Sequence, residues 1–137
     1  MLDPQDRLLL FRFQAAGCDP FWATVGGALD AGESYAAAAR RELFEEIGLV
    51  ADIGDEVAQR HAEFITLEGE PVTADERYFL VRTTDRTISR DGHTELERRV
   101  MGEHRWWTRD ELAVFSETVF PVDIVAMLDA VLSAGDA

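Results

Sequence analysis

The sequence contains a single cysteine, Cys18, among 137 residues, which excludes an internal disulfide bond and a cysteine-based zinc site. Its histidines are dispersed, and none lies at a metal-binding spacing such as that of an HExxH helix. No apolar run approaches the ~20 residues that a membrane-spanning helix needs. The opening residues, MLDPQDR, lack the basic and apolar regions of a signal peptide. Together these absences predict a reduced, cytoplasmic setting.

Basic residues are also scarce, with 13 Lys and Arg against 27 Asp and Glu and a formal net charge of −14. The chain therefore offers no basic surface for a nucleic-acid polymer or for an anionic membrane. A small anionic substrate remains compatible with this charge where a cation or a local arginine stands beside it. The length and the 47% hydrophobic content predict one globular domain over residues 1–137.

Apolar segments punctuated by turn residues predict a mixed α/β (α+β) domain with a mixed β-sheet. The predicted strands span residues 8–13, 21–25, 56–67, 77–83 and 102–108. The predicted helices span residues 35–47, 109–115 and 121–134. Ser34 is the expected N-cap of the first helix, and Gly48 stands where a left-handed C-terminal residue belongs. The polar segment 84–100 has no readable pattern.

The first predicted helix gathers acidic residues on one side. On a helical wheel its apolar stripe comprises Ala36, Ala39, Leu43 and Ile47. The adjacent sector holds Glu42, Glu45 and Glu46, and Glu33 precedes the helix. Like charges at this spacing are destabilising, although Arg41 stands at the pairing distance i, i+4 from Glu45. A hard divalent cation such as Mg²⁺, which binds carboxylate oxygens, would offset the repulsion. The alternative is a solvated acidic face with arginine pairs.

The glycines and glutamates of this segment follow a fixed spacing. Gly27 is followed by five residues, Glu33, seven residues and then RELFEEIGL at residues 41–49. This spacing resembles the signature of the Nudix (MutT-like) hydrolases, G-x5-E-x7-R-E-U-x-E-E-x-G-U, where U is an aliphatic residue, and every fixed position matches. The resemblance implies the Nudix fold, in which a mixed β-sheet is sandwiched between helices.

The resemblance also implies an activity and a cofactor. Nudix hydrolases cleave a pyrophosphate linkage in a nucleoside diphosphate derivative with Mg²⁺ or Mn²⁺, which polarises a phosphoryl oxygen and lowers the pKa of bound water. The metal ligands implied by position are Glu45, Glu46, Glu42 and the carbonyl of Gly26. Glu42 is alternatively the catalytic base, and Glu33 resembles a helper that acts through water. Arg41 resembles the residue that pairs with a glutamate and fixes its rotamer.

A further carboxylate is expected from the segment before the last predicted strand, because Nudix hydrolases often recruit one there. The candidates are Asp91, Glu95, Glu97 and Glu103. We favour Glu97 as the assisting catalytic acid. A solvated loop carboxylate is the alternative for each candidate.

Recognition of a nucleotide requires an aromatic platform for the base and cations near the phosphates. The candidate platforms are Trp22, Phe13 and Phe79, with core packing as the alternative. The candidate phosphate contacts are Arg12, Arg77 and Arg82, with solvated strand-edge arginines as the alternative. The adjacent residues Trp106 and Trp107 are expected on opposite faces of the sheet.

Alternatives remain open for both function and architecture. A Nudix-fold module that senses a nucleotide without hydrolysing it is the rival function, although such modules usually lose signature glutamates that this chain retains. The Nudix fold normally has a full strand before the first turn, whereas only Met1 and Leu2 precede the first predicted turn here. The resemblance therefore implies either that the given start is late or that the sheet is truncated at its first strand. A truncated sheet exposes an edge, which favours pairing with a second copy of the chain as a homodimer.

Overall fold

A computed structural model of the chain describes residues 1–14, 19–25, 31–51, 53–65, 69–84 and 87–135. Its strands are β1 (Leu8–Phe13), β2 (Phe21–Ala23), β3 (Glu56–Ile65), β4 (Pro71–Phe79), β5 (Met101–Trp107) and β6 (Thr118–Phe120). Its helices are α1 (Tyr35–Ile47), α2 (Glu95–Val100), α3 (Arg109–Ala113) and α4 (Ile124–Gly135). No helix within these ranges is long and apolar enough to cross a membrane.

The strands form a four-stranded mixed sheet and a separate hairpin. The order in the larger sheet is β5-β1-β2-β6. Strand β1 is antiparallel to β5 and to β2, whereas β2 is parallel to β6. Strands β3 and β4 pair with each other as an antiparallel hairpin. The predicted α+β class with a mixed sheet is confirmed.

Strand β1 is buried on both faces, because its side chains alternate between two core clusters. Leu8 and Leu10 belong to the cluster that contains buried residues of α3 and α4. Leu9 and Phe11 belong to the cluster that contains Leu43 and other buried residues of α1. The sheet is therefore covered by α1 on one face and by α3 and α4 on the other, as the Nudix resemblance predicts.

Helix α1 begins and ends at the predicted residues. The side chain of Ser34 accepts a hydrogen bond from the backbone N–H three residues on, at 3.1 Å, and Gly48 follows the helix in the left-handed conformation at φ 74°. The buried stripe differs from the prediction, because Ala38 is buried whereas Ala36 and Ala39 are only half-buried. Ala38 lies on the side that carries the glutamates, so the buried surface extends into the acidic sector.

The hairpin differs most from the prediction. Strand β4 spans Pro71–Phe79 instead of residues 77–83, because Ile65 pairs with Pro71 and the polar residues between the predicted strands join the ladder. A proline is tolerated there since it is the first residue of its strand. Strand β3 ends at Ile65, and residues 66 and 67 of the predicted strand lie outside the described residues.

The remaining boundaries shift by a few residues. Strand β2 ends at residue 23 instead of 25, β5 begins one residue early, and α3 ends at residue 113 instead of 115. Helix α4 begins at Ile124 because Pro121 opens a turn, in which the Pro121 carbonyl accepts from the Ile124 N–H at 3.1 Å. The sequence pattern does not predict α2 or β6, which are only six and three residues long.

Leu2 lies before β1, where the sequence predicts that the first strand of the fold is truncated or that the given start is late. Its N–H donates to the Val81 carbonyl at 2.8 Å, and its carbonyl accepts from the Thr83 N–H at 2.9 Å. It also forms isolated bridges with Leu8 and Arg82, and it is buried in the core. A single buried residue therefore connects β1 to the segment that follows β4.

Candidate active site

The guanidinium of Arg41 binds three of the four clustered glutamates. Its Nε and Nη2 donate to the two carboxylate oxygens of Glu33 at 2.9 and 3.0 Å. Its Nη1 donates to Glu42 Oε1 at 2.8 Å and to Glu45 Oε2 at 3.1 Å. The bond to Glu33 is bidentate, the strongest form of an arginine–carboxylate contact. Glu33, which precedes the helix, is therefore held against the middle of α1.

Glu42 is largely withdrawn from water, with 13% of its side chain exposed, whereas 44% of the Glu45 side chain is exposed. Burial raises the pKa of Glu42 above its ordinary value of 4.5, and the negative charges of Glu45 and Glu97 act in the same direction. The hydrogen bond and the charge of Arg41 oppose this rise. Glu42 therefore accepts a proton more readily than an exposed glutamate does.

Glu46 is the buried member of the cluster, with 4% of the residue exposed. Its main-chain carbonyl oxygen lies 2.6 Å from His93 Nε2. Helical spacing places its side chain in the same sector as those of Glu42 and Glu45. The three carboxylates therefore leave α1 on one side, next to the residues that pack into the core.

The cluster offers carboxylate oxygens, the ligand type that Mg²⁺ and Mn²⁺ prefer. Among the described residues, no three acids, histidines or cysteines converge as a finished metal site, because the glutamates face Arg41. Glu42 and Glu45 each bind Arg41 through one carboxylate oxygen, Oε1 of Glu42 and Oε2 of Glu45. The donor chemistry thus fits a hard cation. The predicted ligand Gly26 lies outside the described residues.

The segment before α2 contacts the last turn of α1, which the sequence pattern does not predict. The Ser89 N–H donates to the Ile47 carbonyl at 2.8 Å. Gly92 lies so close to α1 that an added Cβ would stand 2.5 Å from the Glu45 carbonyl oxygen. His93 is buried. The sequence signal for this contact is a glycine next to a histidine within a polar segment. That pattern does not show which element the segment packs against.

Glu97 lies in the first turn of α2. Its carboxylate accepts from the Thr94 N–H at 2.9 Å, while the Thr94 hydroxyl accepts from the Glu97 N–H at 3.1 Å, which together form a capping box. Its negative charge also contributes to the raised pKa of Glu42, so Glu97 lies within electrostatic range of the acidic cluster. The other candidate acids, Asp91, Glu95 and Glu103, are exposed.

Two of the residues predicted to bind substrate lie on the face of the sheet away from α1. Trp22 is 4% exposed, and its ring packs 5.4 Å from that of Trp107 in the core beside α3 and α4. Arg12 lies directly opposite Trp22 in the pairing of β1 with β2, and directly opposed residues project from the same face of a sheet. Arg12 Nη1 donates to Gln14 Oε1 at 3.5 Å. The structure does not bring Trp22 or Arg12 to the acidic cluster.

The other two predicted substrate contacts lie on the same side as α1. Phe13 stacks on Phe21 with ring centroids 5.4 Å apart and an interplanar angle of 10°. Arg77 donates to Glu56 at 3.2 Å, and its guanidinium lies 4.9 Å from the ring centre of Tyr35, the first residue of α1. Phe13 and Arg77 therefore flank the helix that carries the glutamates.

The remaining aromatic and arginine candidates are accounted for within the fold. Phe79 is half-buried at the end of β4, and Arg82 donates to Asp6 at 2.7 Å. Trp107 belongs to the core cluster beside α3 and α4, whereas Trp106 packs against the cluster beside α1. The predicted opposite orientation of these two tryptophans is confirmed.

The fold and the site define an α+β protein in which one helix and a glutamate shortly before it carry an acidic cluster bridged by arginine. The chain belongs to the Nudix family, because the sequence model of the NUDIX domain matches residues 1–128. No curated protein sequence matches the chain.

Several solved structures share the fold. The ORF135 protein of E. coli is 21% identical with a TM-score of 0.63, and the match covers 98% of this chain and 86% of that protein. A MutT protein from Methanosarcina mazei Go1 is 17% identical with a TM-score of 0.66, covering 99% and 90% of the two chains. A structure from a study of MutT from Aliivibrio salmonicida and Vibrio cholerae is 18% identical with a TM-score of 0.53. The match covers 97% of this chain and 92% of that protein.

Proposed function

We propose that this Nudix protein hydrolyses a pyrophosphate linkage in a nucleoside diphosphate derivative with the help of Mg²⁺ or Mn²⁺. The observation that carries the proposal is the set of carboxylates around Arg41, with Glu33, Glu42 and Glu45 all bound to one guanidinium. One arginine does not neutralise this cluster, to which buried Glu46 adds a further carboxylate. The net charge of −14 likewise opposes the approach of a polyphosphate unless a divalent cation accompanies it.

The cluster residues of α1 have distinct chemical roles in this proposal. A divalent cation, when bound, polarises a phosphoryl oxygen and lowers the pKa of water. Glu45 and Glu46 are the residues that would hold it, and Arg41 keeps the carboxylates oriented. Water forms a new bond to phosphorus as the bridging P–O bond breaks, and the proton of water passes to Glu42. The raised pKa of Glu42 suits it to act as this base.

The side of the sheet that α1 covers supplies the groups for binding the nucleotide. We assign the base to Phe13, whose ring lies on that face beside Phe21, and a phosphate to Arg77 beside the start of α1. Trp22 and Arg12 lie on the opposite face and are assigned to packing and to the strand surface. Glu97, whose charge acts on the pKa of Glu42, is the assisting carboxylate.

A substrate panel tests the proposed activity. The panel contains nucleoside triphosphates, nucleoside diphosphate sugars and dinucleoside polyphosphates, each incubated with the protein and Mg²⁺. We expect hydrolysis of at least one compound, and separate assays for phosphate and pyrophosphate identify the bond that is cleaved. Binding of the metal and of a nucleotide without any turnover would instead support a nucleotide-sensing module.

A further inference from the structure

Residues 89–93, which we call the 89–93 segment, contact the last carbonyl groups of α1. They follow the end of α1 by more than 40 residues in the sequence. The final carbonyls of a helix have no donor within the helix. The Ile47 carbonyl accepts from the Ser89 N–H at 2.8 Å, and the Glu46 carbonyl lies 2.6 Å from His93 Nε2. The 89–93 segment thus binds the part of α1 from which Glu45 and Glu46 project.

Backbone packing leaves no room between Gly92 and α1. A Cβ at Gly92 would stand 2.5 Å from the Glu45 carbonyl oxygen and 3.0 Å from the Glu45 Cα. At the end of the helix, a Cβ at Gly48 would stand 2.7 Å from the Ser89 Cβ. Both glycines are needed for this approach, because a side chain at either position would push the 89–93 segment and α1 apart.

The ring of His93 is held from its other side by Arg90. Arg90 Nε lies 3.5 Å from His93 Nδ1, and Arg90 Nη2 donates to the Met101 carbonyl of β5. A guanidinium can only donate, so Nδ1 accepts and the ring proton is on Nε2. The Nε2–H group therefore donates to the Glu46 carbonyl, and the ring is fixed between the sheet and the helix.

We propose that His93 is a positioning residue for the metal ligands of α1. Its Nε2–H bond holds the main chain of Glu46 and thereby sets the direction in which the Glu45 and Glu46 carboxylates leave the helix. Glu97 lies in the first turn of α2, which begins shortly after His93, so the same contact also sets the separation between Glu97 and the acidic cluster. The inference rests on the proposed function, in which Glu45 and Glu46 hold the cation.

Substitution of His93 tests this role through metal binding in the absence of substrate. In His93→Phe the ring shape is retained and the donor is lost, whereas His93→Gln restores an N–H at the distance of Nε2. The probe is Mn²⁺ alone, titrated into the protein and followed by electron paramagnetic resonance. Because residues that orient metal ligands typically contribute about 10- to 100-fold, we expect about tenfold weaker Mn²⁺ binding and a lower kcat for His93→Phe, with recovery in His93→Gln.

Leu128→Ala serves as the matched control for a general loss of stability. Leu128 is buried in the cluster away from α1, so this variant should unfold at a lower temperature and bind Mn²⁺ like the wild type. If His93→Phe does not fold, Arg90→Met takes its place, since Arg90 is exposed and its loss frees the ring of His93. Several-fold weaker Mn²⁺ binding by Arg90→Met then supports the role.

The outcomes separate the two proposals. A folded His93→Phe, or Arg90→Met in its place, with wild-type Mn²⁺ affinity and kcat overturns the positioning role alone. If the wild type binds no Mn²⁺, or if Glu46→Gln binds it as tightly as the wild type, the proposed metal site is wrong and the positioning role falls with it.

Discussion

Arg41 and Glu33 are joined by two parallel hydrogen bonds, 2.9 Å from Nε to Oε2 and 3.0 Å from Nη2 to Oε1. Glu33 lies outside the helix, so the pair ties the chain that precedes α1 to the helix itself. The remaining nitrogen of the guanidinium binds Glu42 and Glu45. One side chain therefore orients three carboxylates, and Arg41 should affect hydrolysis through the acids that it holds.

Substitution of Arg41 by lysine tests this effect. Lysine keeps the positive charge but lacks the planar fork that binds Glu33 through two bonds. We expect Arg41→Lys to lower kcat/KM by about 10- to 100-fold, the range typical of residues that orient metal ligands. Arg40→Lys is the matched control, because Arg40 is the exposed neighbour of Arg41. Equal kcat/KM for the two variants would exclude an orienting role for Arg41.

If the protein hydrolyses a substrate as proposed, the pH dependence of that hydrolysis should report the electrostatic effect of Glu97 on Glu42. Burial is the main cause of the raised pKa of Glu42, and the charge of Glu97 adds to the rise. Removal of that charge in Glu97→Gln should lower the pKa of Glu42, so that the acidic limb of the kcat/KM profile moves to lower pH. Glu95→Gln, an exposed change in the same turn of α2, should leave the limb in place. If the acidic limb of the kcat/KM profile does not move in Glu97→Gln, the proposed effect of Glu97 on Glu42 is contradicted.

Asp3 makes stability depend on pH in the acidic range. Burial alone would raise its pKa, but hydrogen bonds from the backbone N–H groups of Arg7 and Gln5, together with the hydrogen bond and charge of the Arg7 side chain, outweigh burial. They hold the pKa of Asp3 below its ordinary value of 3.8. A group with a lowered pKa stabilises the fold above its unfolded pKa, and the contribution is lost as the pH falls through the folded pKa. Asp3→Asn should therefore lower the free energy of unfolding at neutral pH by about 2 kcal/mol.

The difference between wild type and Asp3→Asn should shrink as the pH falls below 3.8. Urea denaturation at a series of pH values measures it. Asp6→Asn is the control: Asp6 pairs with Arg82 at an exposed site, where an ion pair contributes about 0–1 kcal/mol, and asparagine tolerates the positive φ of this position. A difference that stays constant across the acidic range would mean that the carboxylate charge of Asp3 does not contribute.

Two aromatic substitutions should separate binding of the base from core packing. Phe13→Leu should raise KM about fivefold with little change in kcat, since an aromatic contact contributes about 1 kcal/mol beyond its buried area. Trp22→Phe should lower the free energy of unfolding by about 1 to 3 kcal/mol and leave KM unchanged. Steady-state kinetics and thermal unfolding of both variants measure these effects. A larger rise in KM for Trp22→Phe than for Phe13→Leu would place the base on the other face of the sheet.

The parts of the fold that follow from the sequence are those with local signals. The ends of α1 are set by Ser34 and Gly48, which cap the helix through contacts within a few residues. Arg41 and the glutamates within α1 follow a spacing that helical geometry brings together, and the i, i+4 bond from Arg41 to Glu45 forms as predicted. Local spacing is sufficient there because the helix itself supplies the geometry.

The parts that do not follow depend on distant partners. Pro71 marks a turn when considered alone, yet it joins a strand because Ile65 lies opposite. Ala38 is buried where the wheel shows an acidic sector, and His93 meets a carbonyl 47 residues earlier in the chain. The face of the sheet on which Trp22 and Arg12 lie can be predicted only when the register of β1 with β2 is known. Such pairings are decided by the packing of whole elements and leave no local trace.

The most direct measurement compares Mg²⁺-dependent hydrolysis by the wild type and by Glu46→Gln on the best substrate of the panel, with EDTA added in a parallel series. Glutamine matches the shape of buried Glu46, so thermal stability should be nearly unchanged. We predict that Glu46→Gln lowers kcat by at least about 100-fold, because a ligand should contribute no less than the residues that orient it. EDTA should abolish the wild-type activity. Full activity in Glu46→Gln, or wild-type activity that survives EDTA, would contradict a carboxylate-bound metal on α1.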